Sequence, residues 1–318
     1  MSKNNRVWRL QERPVGNITN NTLSLEKENI PQPKDGECLF QLNYLSLDPT
    51  NRIWMSDETQ YMPPVVLGEP MRGVVCGTVL ESMTPDFKKG DIVSGIGTWS
   101  DYQIGSPESV GLLSQVDNVS AMDAFATLAL VGPSAYFCLL DIGEPKAGET
   151  VVVSTAVGLT GSDEKCRWIK EELGFDAAIN YKTANLPDAL SKSCPNGIDI
   201  YFDNVGGTIL DECLKLMNLH GRIPTCGLIS QYNALEPVPG PYNYSLILMH
   251  RLKIQGFIIL DYLERFPEAN ESILKWMSEG KIKVRLDVSE GLETALDGVK
   301  KLYTGENNGK LMVRVKEI

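Results

Sequence analysis

The pattern of apolar and polar positions changes character along the chain. Through the first third, short apolar segments at 37–44, 73–79 and 91–95 are separated by Gly, Pro and Asp turns, which predicts strands. Lys88-Lys89-Gly90-Asp91-Ile92-Val93 has the form of a turn feeding a strand. No long helical period appears before about Ser120. Beyond it, residues 121–130 and 135–140 are helical in composition, with Gly132-Pro133 between them.

After Lys146-Ala147-Gly148-Glu149 strands and helices alternate. Residues 150–154 read as an apolar, β-branched strand of the kind buried on both faces. Residues 157–160, 177–180, 197–202 and 221–226 follow as strands, and Ser162 can cap a helix over 163–173 with acids in its first turn. Helices are predicted over 208–217, 244–251 and 265–279, and a last strand over 310–315. This alternation predicts a parallel, doubly wound α/β sheet. The domains expected are 1–120, completed by 285–318, and 121–284.

Three segments carry candidate chemistry. Phe202-Asp203-Asn204-Val205-Gly206-Gly207-Thr208 sits at the carboxyl end of a predicted parallel strand, the edge where open α/β sheets bind ligands. It reads equally as a tight strand-to-helix turn. Gly161-Ser162-Asp163-Glu164-Lys165 follows the candidate second strand. In a dinucleotide fold an acid there selects NAD, whereas small residues plus a cation accept the 2′-phosphate of NADP. Ser162 and Lys165 fit the second pattern, although Lys165 also reads as an exposed helix lysine. Cys226-Gly227-Leu228-Ile229-Ser230-Gln231-Tyr232-Asn233 is another strand-end loop, and Tyr232 is either a neutral hydrogen-bond donor or a surface tyrosine.

Composition narrows the classes. Of 318 residues 42% are hydrophobic and 22% charged, as in an ordinary globular protein. The net charge of −11 argues against nucleic-acid or anionic-membrane partners. The seven cysteines are scattered, without C-x-x-C, and read as reduced thiols of a cytoplasmic protein. No signal-peptide core is seen at the N-terminus, and the apolar stretches at 246–249 and 257–260 are too short to span a bilayer. His220 and His250 are the two histidines, with His220 expected near a helix end beside Gly221.

Read in order, Tyr44-Leu45-Ser46-Leu47-Asp48-Pro49, Ala135-Tyr136-Phe137, 145–154, 161–165, Leu173-Gly174-Phe175-Asp176, Asn180-Tyr181-Lys182, 203–207, 227–233, Gln255-Gly256-Phe257, Glu279-Gly280-Lys281-Ile282 and Gly309-Lys310 run almost end to end. The arrangement resembles the medium-chain dehydrogenase/reductase superfamily, and within it the zinc-independent, NADPH-dependent alkenal and enone reductases. The resemblance implies a GroES-like β domain plus a Rossmann domain, NADP(H) as cofactor, an enone or alkenal as substrate, and a homodimer. It implies that Lys165, with Ser162, meets the 2′-phosphate and that Tyr181 lies at the adenosine end. Asn204, Cys226, Ser230, Tyr232, Phe257, Ile258 and Asn307 match positions that contact the cofactor or line the nicotinamide site. Tyr232 is then the candidate catalytic phenol. Zinc is not expected, because Gly68-Glu69-Pro70 stands where zinc members carry Gly-His-Glu, and no cluster of three His or Cys ligands is seen. A quinone reductase on the same fold is the alternative, or a cofactor-deficient binding relative.

The sequence departs from this family at one place. Ala156 runs straight into Val157-Gly158-Leu159-Thr160, where the family has a glycine-rich turn, a helix and then the next strand. Parallel strands need a crossover of about a dozen residues or more. The flanking motifs are intact, so the expectation is that a segment has been omitted from the sequence as it stands rather than lost from the protein. Thr50 and a short hinge stretch at Pro133-Ser134 are smaller departures, the first replacing a tyrosine that borders the family's substrate.

Overall fold

The computed structural model describes residues 4–154 and 158–318. Thr155-Ala156-Val157, on which the expected glycine-rich turn and the start of the 157–160 strand fall, lies outside the described residues. The chain opens with strands β1 (Asn4–Leu10), β2 (Leu23–Asn29), β3 (Cys38–Ser46), β4 (Arg72–Ser82), β5 (Ile92–Thr98), β6 (Tyr102–Gly105) and β7 (Val110–Leu112). Shorter strands follow: β8 (Val151–Val153), β9 (Leu159–Thr160), β10 (Ile179–Asn180), β11 (Ile198–Phe202), β12 (Met217–Thr225) and β13 (Lys253–Gly256). Strands β14 (Leu286–Glu290) and β15 (Lys310–Arg314) close the chain. Two compact units result: Met1–Val131 with Asn270–Ile318, and Gly132–Ala269.

The first unit is built on a sheet in the order β14-β15-β3-β4-β5-β7, with β6 pairing β3, beside a β1-β2 hairpin. Its core gathers Phe40, Leu42, Leu45, Met71, Trp99 and Met312, each buried. Gly73 lets Trp99 lie against β4, since a Cβ there would fall 2.6 Å from the indole. A buried polar group sits among this packing. Asp48 accepts from Ser46 Oγ and pairs with the Lys310 ammonium, which also donates to Leu47 O at 3.0 Å. This is the GroES-like β domain of the expected fold.

In the second unit every strand pairing is parallel among the described residues. One sheet runs β13-β12-β11-β8, a second pairs β10 with β9, and a single parallel bridge between Ser154 and Leu159 joins them. Numbered by chain order within the unit, the strands lie 3-2-1-4-5-6, the doubly wound Rossmann order. The strand expected at 150–154 differs from expectation in its burial. Val151 is 39% exposed rather than enclosed on both faces. Five positions separate β8 from β9.

Two further expectations are corrected. Gly132-Pro133 does not separate two helices but lies in the first turn of helix Val131–Phe137, where proline's missing N–H costs nothing. A π-helix, Cys138–Gly143, continues that segment. His220 is not at a helix end: β12 starts at Met217 and bulges, with Met217 opposite Ile198 and Arg222 opposite Ile200. His220 takes a left-handed φ of 63° within the bulge.

Arg222 ties the far side of this bulge to the turn before β8. Its guanidinium binds Glu149 through two bonds of 2.8 and 2.6 Å and donates to Gly143 O at 2.9 Å. The Arg222 bonds hold the Glu149 carboxyl down at about 2, against an ordinary 4.5. A depressed carboxylate stabilises the fold above its unfolded pKa, and that contribution is lost as pH falls through the folded value. The wild type should therefore shed stability between about pH 4.5 and pH 2. Glu149→Gln should lower stability at pH 7 by about 1 kcal/mol, and the gap between the two proteins should close towards pH 2. Thermal unfolding followed across pH measures both, and a constant gap would remove Glu149 from the linkage.

Candidate functional site

The carboxyl ends of β8, β11 and β12 meet around one buried carboxylate. Asp203, just past β11, is wholly buried. Its Oδ1 accepts from the Tyr201 hydroxyl at 2.9 Å and from the Val205 and Gly206 N–H groups at 2.9 and 2.8 Å. Ser154 Oγ approaches the same oxygen at 3.4 Å. Burial and the Asp203 charge push the Tyr201 phenol well above its usual range, so it stays a donor. The backbone of Asp203 is held as well: its N–H donates to Pro224 O, and its O accepts from Cys226 N–H at 2.8 Å.

That hub places several of the expected site residues together. Asn204 donates from its backbone to Ser154 Oγ at 2.8 Å and from its amide to Ser154 O at 2.9 Å. Ser230 Oγ donates to Val205 O at 2.5 Å, and Ile229 N–H to Asn204 O at 3.1 Å. Tyr232 turns its hydroxyl back into its own loop, where it accepts from Leu228 N–H at 3.1 Å. Gly206 has φ 68° and opens helix Gly207–Leu216, and a Cβ there would meet Leu228 at 2.9 Å. Phe257, buried, donates from its backbone to Thr225 O at 3.0 Å, and Ile258 leads into the 3₁₀ turn Ile259–Arg265. Asn204, Cys226, Ser230, Tyr232 and Phe257 thus share one sheet edge.

A second group lies at the β9-β10 end of the same unit. Ser162 caps helix Asp163–Glu171, accepting from Lys165 N–H at 3.2 Å. Tyr181 donates from its backbone to Thr160 O, and its hydroxyl lies 3.2 Å from where a Cβ of Gly161 would stand. Asp163, in the first turn of that helix, accepts from the Asn180 amide at 2.7 Å. Asn307 belongs to the first unit, where its amide donates to Gly309 O at 3.0 Å.

Asp203 lies within the Phe202–Thr208 motif, where the sequence alone does not set it apart from its neighbours. The available signal was an acid at a strand end, followed by Asn-Val-Gly-Gly, with a serine ending the strand three places earlier in the chain. Nor does the sequence show that the Cys138 and Cys226 thiols act on one another, because a spacing of that length carries no local signature. Among the described residues no group of three His, Cys, Asp or Glu side chains could hold a metal ion. Among them, too, no single helix is long and apolar enough to cross a membrane.

Residues 6–113 match a family described as the N-terminal domain of oxidoreductase, and residues 152–276 one described as zinc-binding dehydrogenase. The chain belongs to the medium-chain dehydrogenase/reductase family. Among its relatives, NADPH-dependent curcumin reductase of Escherichia coli (strain K12) is 40% identical, over 98% of this chain and 97% of that one. Prostaglandin reductase 1 of Bos taurus is 37% identical over 96% and 98%. The crystal structure of CurA from Vibrio vulnificus in complex with NADPH matches with a TM-score of 0.92 at 38% identity, covering 98% of this chain and 100% of that chain. The alignment with the Escherichia coli relative runs over 335 positions although this chain has 318 residues, so that relative carries residues with no counterpart here.

Proposed function

We propose that this chain is an NADPH-dependent reductase of the C=C bond of α,β-unsaturated aldehydes or ketones, working without zinc, as a cytoplasmic homodimer. The observation that carries this reading is the convergence of Asn204, Cys226 and Ser230 on the turn at Asp203, with Tyr232 bonded into the same strand-end loop as Ser230. The names of the curcumin, prostaglandin and alkenal reductases among the relatives support it.

The strand-end loops fit the cofactor at both ends of the sheet. Gly206, Gly207 and Gly227 keep the backbone bare, and a Cβ on Gly227 would already touch Tyr232 and Asn204 at 3.3 and 3.4 Å. Asn204, Cys226, Ser230, Phe257 and Ile258 would hold the nicotinamide end, and Ser162, Lys165 and Tyr181 the adenosine end. Bound NADPH supplies a hydride for the β-carbon of the substrate.

The protein's own task is to steady the charge that then gathers on the carbonyl oxygen. Tyr232 is the donor assigned to it. A phenol oxygen that already accepts Leu228 N–H is polarised into a stronger donor and has its direction fixed. The same bond makes Tyr232 part of the loop that carries Ser230, so its removal acts on geometry as well as on charge.

Tyr232→Phe should lower kcat on several enones by roughly tenfold to a thousandfold, with NADPH affinity changed far less. Steady-state kinetics with a parallel fluorescence titration separates the two, and an unaltered kcat would take Tyr232 out of the chemistry. Lys165→Ala should raise KM for NADPH much more than for NADH, as a lost charge-assisted bond of about 1.5–3 kcal/mol would; equal changes for both cofactors would place Lys165 elsewhere. Exhaustive chelation should leave enone reduction unchanged, and activity that disappears and returns with zinc would refute a metal-free reaction.

A further inference from the structure

The packing of the π-helix on β12 brings two thiols together. One end of the π-helix is pinned to the strand: Arg222 donates to Gly143 O at 2.9 Å, and a Cβ on Gly143 would lie 3.7 Å from Pro224 Cγ. Alternate strand residues share a face, so Cys226, just past β12, continues the side of Arg222 and Pro224. The other end of the π-helix is held by rings. Phe137 stacks on Tyr262 at 4.8 Å, Tyr262 tilts onto Phe257 at 5.2 Å, and Phe257 N–H donates to Thr225 O at 3.0 Å. Cys138 follows the first residue of that ladder and Cys226 the last.

The two sulfurs differ in surroundings. Cys138 is buried in the core, while Cys226 is partly exposed. The Cys226 contact, together with burial, raises the Cys138 thiol, while the Cys138 contact lowers the Cys226 thiol from its ordinary value. A reactive, accessible sulfur backed by a second thiol is the arrangement of a peroxide-sensing pair. Cys194 and Cys213 also neighbour one another in this unit, but both are buried, so neither presents a sulfur to an oxidant.

We propose that Cys138 and Cys226 form a reversible disulfide in response to hydroperoxides, and that this bond disables the strand-end loop carrying Ser230 and Tyr232. In the first step the Cys226 sulfur attacks a peroxide oxygen. An S–O bond forms, the O–O bond breaks, and water leaves from hydrogen peroxide. In the second step the Cys138 sulfur attacks the Cys226 sulfenic acid. The S–S bond forms, the S–O bond breaks, and the Cys138 proton departs with the hydroxyl as a second water. Two thiols give up two electrons and two protons, and the peroxide takes them up. The sulfurs must then close to about 2.05 Å, which draws the residue following β12 towards the π-helix. The effect on cofactor binding rests on the proposed reductase reading; the crosslink itself does not.

The test uses the full chain exposed to hydrogen peroxide, alkylated without reduction and mapped by peptide mass spectrometry. The expected result is a linked pair of peptides containing Cys138 and Cys226, lighter by two hydrogen atoms and released by dithiothreitol. NADPH affinity by fluorescence titration should fall roughly tenfold on oxidation and recover on reduction. Cys138→Ser and Cys138→Ala should bind NADPH normally when reduced, give no linked peptide, and accumulate over-oxidised Cys226 instead. A linkage between other cysteines, or both thiols remaining alkylatable after exposure, would overturn the pair. A linkage that leaves NADPH affinity untouched would overturn its effect on the loop. Reduced protein that binds no NADPH would count against the reductase reading, and the peptide map would still decide the disulfide.

Discussion

One buried carboxylate holds the working edge of the second unit together. Asp203 gathers donors from its own strand, from the following turn and from Ser154 at the end of β8. A group without contact with solvent must satisfy its charge internally or pay several kcal/mol. Its Oδ1 does so with two backbone N–H groups and a phenol, while Oδ2 has no partner among the described residues. The turn geometry of Val205 and Gly206, and through it the start of helix Gly207–Leu216, follows from that demand. Asn204, Cys226 and Ser230 are placed by bonds to the same turn, so the candidate site inherits its shape from a residue that need not touch a ligand.

Much of the fold was legible because local patterns are strong where strands are buried and turns are tight. The strands at β3, β4 and β5 and the helix capped by Ser162 fall within a few residues of expectation, since alternation and capping act through nearest neighbours. The boundaries of β12 were not legible. Its bulge between Met217 and Arg222 depends on pairing with β11, and only Gly221, where a Cβ would strike Met217 at 2.5 Å, marks it in the chain. The 3₁₀ turn Ile259–Arg265 escaped the helical reading of 265–279 for a similar reason: Arg265 stacks on Phe137 at 4.7 Å, a tertiary contact no window displays.

The candidate site divides in the same way. Ser162, Asn204 and Ser230 could be picked from strand-end loops, because doubly wound sheets bind at that edge whatever their sequence. That Tyr232 accepts from Leu228, and that Asp163 is engaged by Asn180, are side-chain facts set by loop closure. The close spacing of β8 and β9 was visible in the sequence, whereas the exposure of Val151 on β8 was not.

The interrupted first unit has a bearing on how the chain acquires its shape during synthesis. Strand β15 lies inside its sheet, between β14 and β3, and Trp8 donates to Leu292 O across 284 positions. The ribosome releases these late strands only after Gly132–Ala269 has emerged as a continuous stretch. The second unit can therefore assemble while translation continues, whereas the first waits with β3 lacking one neighbour. Long-range pairings of this kind are slow, and an open strand edge invites association in the interval. Loss of the last strand should thus cost yield of folded protein more than its five residues suggest.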